Sequence, residues 1–96
     1  MVNYPEKETY TYEDLVHILR ILRAPGGCPW DREQTHESNR RNFLEEAYEA
    51  AEAFDLDDPE LMKEELGDVL MQVLFNIHME EDAGRFTTDD VTDHVV

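Results

Sequence analysis

At 96 residues the chain falls in the size range of one compact domain, and its 41% hydrophobic content suffices for a core if the apolar residues are placed periodically. The 24 Asp and Glu against 8 Lys and Arg give a formal net charge of −16 at pH 7, a surface that repels nucleic-acid polymers and anionic membranes and gathers cations. The lone Cys28 excludes an intrachain disulfide and points to a reducing cytoplasm, while no segment approaches the ~20 apolar residues of a membrane span or forms an apolar signal core.

Residues 1–10 are expected to be a flexible N-terminal segment of a single domain spanning 1–96. Thr11 followed by Asp14, ahead of Leu15, Ile18, Leu19 and Leu22, predicts an N-capped amphipathic helix over about 12–23. Ala24-Pro25-Gly26-Gly27-Cys28-Pro29 ends it, since its prolines and glycines cannot continue a helix. Thr35 and Ser38 are alternative caps for a second helix to about Phe54, with Leu44, Ala47, Tyr48, Ala51 and Phe54 as its core stripe. Asp58 caps a third helix that starts with Pro59, runs to about Asp82 and stops at Gly84. A short fourth helix starts with Thr88 as cap and carries Val91 and Val95. Nothing alternates as a strand would, so the fold class is an all-α, antiparallel bundle of about four helices. A core this small is marginally stable, and oligomerisation through helix packing, as a homodimer or homotetramer, is expected to reinforce it.

The third helix carries one stripe of Met62, Leu66, Val69, Leu70, Val73 and Ile77, and a flanking direction with Leu61, Phe75 and Met79. Glu65 and Asp68 share that flanking, covered direction, whereas Lys63, Glu64, Gly67, Met71 and His78 mark the solvent face. Covered carboxylates need a compensating cation. Glu46 with Glu49, and Glu65 with Asp68, are each spaced i, i+3 and so share one helical side. If the second and third helices pack antiparallel across the 55–59 turn, four carboxylates face one small volume. Like charges that close raise one another's pKa unless a hard divalent ion is present, and an all-carboxylate set suits Mg²⁺, with Mn²⁺ as a substitute. Zinc would need a matched His or Cys set. The stretch from Asp55 to Leu66 lacks the Gly and Glu of an EF-hand loop.

The pattern E-E-x-x-E, fifteen residues, E-x-x-D resembles the signature of the MazG nucleoside triphosphate pyrophosphohydrolases, within the all-α NTP pyrophosphatase superfamily. Cys28-Pro29-Trp30-Asp31-Arg32-Glu33-Gln34-Thr35-His36-Glu37-Ser38 and Glu64-Glu65-Leu66-Gly67-Asp68-Val69-Leu70-Met71-Gln72-Val73 are similar to the segments around that signature. The likeness runs from about Leu15 to Val95. It implies catalytic roles for Glu45, Glu46 and Glu49, metal ligation by Glu46, Glu49, Glu65 and Asp68, and Glu45 as a neighbouring or water-activating carboxylate. It also implies cleavage between the α and β phosphates of a nucleoside triphosphate, giving monophosphate and pyrophosphate, with nucleotide-pool clean-up as the expected role. Asn39-Arg40-Arg41-Asn42 and Asn76 depart from the family pattern, which leaves substrate preference open.

Substrate-binding candidates are Trp30, Asp31, Gln34, His36, Arg41 and Lys63. Trp30 can stack on a base or plug the end of the bundle. Arg32, Arg40, Arg41 and Lys63 can grip phosphate, although surface salt bridges suit each of them as well. His36 lies in the matching motif and equally suits a polar helix start. His17, His78 and His94 read as surface or boundary residues, and Cys28 as a packed loop residue. Competing activities are a phosphoribosyl-ATP pyrophosphohydrolase, a dUTPase-like enzyme, or a non-catalytic acidic helical binding module.

Overall fold

A computed structural model describes Tyr4 and residues 6–96. Its regular elements are α1 (Tyr12–Arg23), α2 (Pro29–Glu33), α3 (His36–Leu56), α4 (Pro59–Asp82) and α5 (Thr88–Val95). Among the described residues there is no strand, as the patterning predicts, and the helices number five instead of about four. The chain forms two compact units, Met1–Gln34 and Thr35–Val96.

In the first unit, Thr11 and Asp14 form the predicted capping box at the start of α1. Lys7, within the segment expected to be flexible, adds an ion pair to Asp14 at 2.8 Å; residues 1–3 and Pro5 lie outside the described residues. Lys7, then the Thr11 backbone, hold the Asp14 carboxyl down at about 2. After α1 the chain reverses through Gly26 at φ 85°. Gly27 follows so close to the end of α1 that a Cβ would sit 2.3 Å from the Ile21 carbonyl oxygen, and the Cys28 N–H donates to the Leu22 carbonyl at 2.7 Å. The sequence reading passed over α2 because it treated both prolines as breakers. Pro29 instead occupies the first helical turn, where its fixed φ and missing N–H cost nothing.

In the second unit, Thr35 is the cap of α3, chosen over Ser38, whose side chain completes the capping box. Asp57 in the left-handed conformation (φ 51°) and Asp58, whose carboxylate accepts from the Glu60 and Leu61 N–H groups, turn the chain into α4. This two-residue link makes α3 and α4 an antiparallel hairpin. At its far end Gly84 (φ 73°) closes α4, with the Arg85 and Gly84 N–H groups donating to the Glu80 and Glu81 carbonyls. The cap of α5 is Thr87, boxed with Asp90, and not Thr88. Thr88 is buried and donates twice to the Glu81 carboxylate, at 2.7 and 2.8 Å, which fastens α5 to α4.

Two expectations about helix faces are corrected. The residues of α3 buried in this fold are Asn39, Ala50 and Ala53, whereas Leu44, Tyr48 and Phe54 are 47%, 74% and 52% exposed and Ala47 and Ala51 are also exposed. The contact with α4 therefore lies roughly a third of a turn from the apolar stripe at 100° per residue, because small and polar side chains let the two helices approach. On α4, His78 is 1% exposed instead of solvent-facing. Gln72, Leu74, Ile77, His78, Met79 and Glu80 are all buried, so this half of α4 is covered in nearly every direction and one solvent face cannot describe the whole helix.

Candidate metal centre

The hairpin brings acids from both helices together. Glu46 and Glu49 of α3 and Glu65 of α4 each offer a carboxylate oxygen, and these oxygens all lie within 4.8 Å of one another. Glu46 and Glu65 are half-buried, and one oxygen of each is fully covered without a hydrogen-bond partner. Such an atom loses its water and gains nothing in return, the condition a cation relieves. Burial first, and then the charges of Glu49 and Asp68, push the Glu46 carboxyl up from its ordinary range. Burial also raises Glu65, followed by a hydrogen bond and charge from Glu49 and then by Asp68 and Glu46. Asp68 thus acts on both groups, but it is exposed rather than covered as expected, and it stands at the edge of the cluster instead of within its three-oxygen core.

The donors are all hard oxygens, which fits Mg²⁺ or Mn²⁺ and leaves coordination positions for water and phosphate. Glu45 is one residue from the cluster and adds to the charge felt by Glu46, while its own carboxylate accepts from the exposed Arg41 at 3.1 Å.

The predicted substrate residues are distributed more widely. Arg41 is engaged with Glu45, and Lys63 pairs with Glu60 at 2.8 Å on the surface of α4. His36 begins α3, ten residues ahead of Glu46, or about 15 Å along the helix axis. There its ring lies 2.6 Å from the Asn76 amide oxygen and 3.2 Å from Glu80. In the N-terminal unit, Trp30 is 63% exposed, Asp31 is buried with its carbonyl accepting from Arg23 at 2.6 Å, and the Gln34 amide donates to the Trp30 carbonyl at 3.3 Å.

Sequence reasoning missed the second polar cluster of the hairpin. Glu80 is 4% exposed, and its carboxylate takes two hydrogen bonds from Arg85 Nε, at 3.0 and 2.7 Å, another from Arg85 Nη2, and the contact from His36. Arg85, then His36, hold Glu80 down at about 2, and Asn76 and Glu80 raise His36. The cluster borders an apolar cleft of about 320 Å³ that includes Phe43, Val73 and Ile77. Asn39 and Gln72, joined by a buried hydrogen bond of 2.6 Å, were missed as well. The available signal was polarity at positions in phase with Glu46 and Glu65.

The MazG nucleotide pyrophosphohydrolase domain family matches residues 34–96. Over 80 residues the chain is 51% identical to a nucleoside triphosphate pyrophosphohydrolase/pyrophosphatase MazG of Thermotoga maritima, covering 83% of this chain and 31% of that protein. It is 55% identical over 74 residues to the uncharacterized protein YabN of Bacillus subtilis, with 77% and 15% covered. It is 42% identical over 78 residues to a nucleoside triphosphate pyrophosphohydrolase of Escherichia coli (strain K12), with 80% and 30% covered. The chain thus spans about a third or less of the length of these relatives. No helix among the described residues is long and apolar enough to cross a membrane.

Proposed function

Because the chain belongs to the MazG nucleotide pyrophosphohydrolase family, we propose that it hydrolyses a nucleoside triphosphate to the monophosphate and pyrophosphate with Mg²⁺ held by Glu46, Glu49 and Glu65 and by Asp68 beside them. The observation that carries this reading is the convergence of three carboxylates, two of which bury an oxygen that finds no hydrogen-bond partner among the described residues. When bound, the ion supplies positive charge to the phosphates and a template for in-line attack by water.

In that reaction a water oxygen bonds to the α phosphorus, the α–β bridging bond breaks with its electrons going to pyrophosphate, and the water proton passes to a carboxylate. Glu45, adjacent to Glu46 in sequence and ion-paired with Arg41, is our candidate for that last task. The exposed indole of Trp30 is the candidate for base stacking. Arg41 is a candidate phosphate contact if it exchanges its present partner Glu45, whereas Lys63, paired with Glu60 and about 160° round α4 from Glu65, faces away from the cluster.

A second copy of the chain completes the assembly in this reading, as a homodimer or homotetramer, by covering the exposed Leu44, Tyr48, Phe54, Leu66 and Leu70. Sedimentation velocity tests it: a monomer at all concentrations refutes the assembly. The acidic surface and single thiol suit a cytoplasmic enzyme of nucleotide-pool clean-up.

The activity is tested with a panel of ribo- and deoxyribonucleoside triphosphates, with and without Mg²⁺, by measuring released pyrophosphate. Magnesium-dependent release is the expected result. None from the whole panel with folding intact favours an acidic helical binding module.

A further inference from the structure

We infer that the Asn39–Gln72 hydrogen bond is a positioning pair, setting how α3 and α4 are rolled about their axes and thereby aiming Glu46 and Glu65 at each other. The inference rests on the metal-binding reading of those acids. Asn39 and Gln72 are 6% and 7% exposed, and the Asn39 amide donates to the Gln72 amide oxygen at 2.6 Å. Asn39 precedes Glu46 by seven residues and Gln72 follows Glu65 by seven, so in an antiparallel pair the two contacts face each other on matching levels. Seven residues span about 10 Å and return to the same side of a helix within roughly 20°. A roll that aligns the amides therefore aligns the carboxylates too.

The exposed His36 ring, at the first residue of α3, also reaches across to Asn76 and Glu80, so the Asn39–Gln72 pair is the buried polar contact between the helices that lies nearer the acids. The two-residue link at Asp57 and Asp58 limits sliding at the opposite end, but each helix can still turn about its own axis. Beyond the acids, α3 presents Ala50 and Ala53, whose methyl groups key rotation weakly. The amides differ, because a roll that separates them leaves a buried donor and acceptor unsatisfied. A side chain about 6 Å from the helix axis moves about 4 Å for a 40° roll. The carboxylate oxygens lie within 4.8 Å of one another, so such a roll would disperse them.

The test replaces both amides, Asn39→Leu with Gln72→Leu, and reads helix geometry and metal affinity separately. In a Cys28→Ser background, spin labels on Glu52→Cys and Glu64→Cys, both exposed, report the α3–α4 distance distribution in metal-free protein diluted with unlabelled chain. Mn²⁺ affinity is read from the free-ion resonance. The expected result is a folded variant with a shifted or broadened distribution and Mn²⁺ binding weakened at least tenfold, and the exchanged pair Asn39→Gln with Gln72→Asn recovers most of that loss. An unchanged distribution, or Mn²⁺ affinity within twofold of the parent despite a changed one, overturns the inference. If the leucine variant does not fold, Gln72→Met, which removes one amide of the pair and keeps Asn39, carries the same expectations. If the parent itself binds no Mn²⁺, the metal-site reading fails, and the distance distribution alone decides whether the amides set the roll.

Discussion

Glu46→Gln should separate metal binding from folding by moving them in opposite directions. Without metal the protein holds three mutually repelling carboxylates within 4.8 Å, with unsatisfied buried oxygens on Glu46 and Glu65. An amide at position 46 removes one charge and supplies a donor to its neighbours, so the metal-free melting temperature should rise. The parent should regain the difference when metal is added. At Mg²⁺ ten times its dissociation constant, linkage stabilises the folded state by about 1.4 kcal/mol. For a chain of this length that corresponds to roughly 6–11 °C. Loss of one ligand should weaken binding by about 10- to 100-fold, leaving a gain of at most about 0.4 kcal/mol, or ~3 °C, at the same Mg²⁺ concentration. Thermal melts followed by circular dichroism, with Mg²⁺ titrated from zero, measure both quantities. A variant that melts lower without metal yet keeps the full Mg²⁺ response would refute the carboxylate cage.

Glu49→Gln together with Asp68→Asn should abolish Mg²⁺-dependent pyrophosphate release while leaving helix content unchanged; residual turnover above about 1% of the parent would remove these acids from the reaction. Trp30→Ala should raise KM for the preferred triphosphate severalfold with kcat nearly unchanged and, because the indole is 63% exposed, shift stability by less than about 0.5 kcal/mol. The Glu80 carboxyl, held at about 2 by Arg85 and His36, contributes stability that is present above the ordinary range near 4.5 and lost as pH falls towards 2. His36, raised by Asn76 and Glu80, contributes stability that is full below about 6.5 and fades as pH rises through its raised value. The difference in unfolding free energy between the parent and Glu80→Gln should therefore be largest in the mildly acidic range and decline on either side, and a difference independent of pH would contradict the cluster. Gly27→Ala should destabilise the N-terminal unit by about 2 kcal/mol or more, since its Cβ would meet the Ile21 and Leu22 carbonyls, whereas Gly67→Ala in α4 meets open space and should stabilise by about 0.5–1 kcal/mol; urea melts distinguish the two.

Local chemistry made most of the helix boundaries legible. Thr11 with Asp14, and Asp58 with Pro59, name their helix starts because capping depends on neighbours along the chain. The paired acids were legible for the same reason, since i, i+3 spacing places Glu46 with Glu49 on one side before any tertiary contact is known. What the sequence could not convey is which side of α3 meets α4. Hydrophobic patterning selects Leu44, Tyr48 and Phe54, yet in this chain those side chains stay exposed while Ala50 and Ala53 make the close contact. Long-range polar partnerships such as Asn39 with Gln72 and His36 with Glu80 join residues 33 and 44 positions apart, beyond the reach of any local pattern. His78 was misplaced because burial changes along α4, from a half-open first part to a covered second part.

The buried methyl groups of Ala50 and Ala53 would also act as a spacer for the proposed metal site. The separation of the α3 and α4 axes sets the bite of the opposed acids, and ion radius must match it: Mg²⁺ takes oxygen at about 2.0–2.1 Å, whereas Ca²⁺ prefers about 2.3–2.6 Å. Enlarging one of these alanines to valine would prise the axes apart and shift preference towards the larger ion. If the acids hold a metal ion, its selectivity would then be set by hydrocarbon that does not touch it.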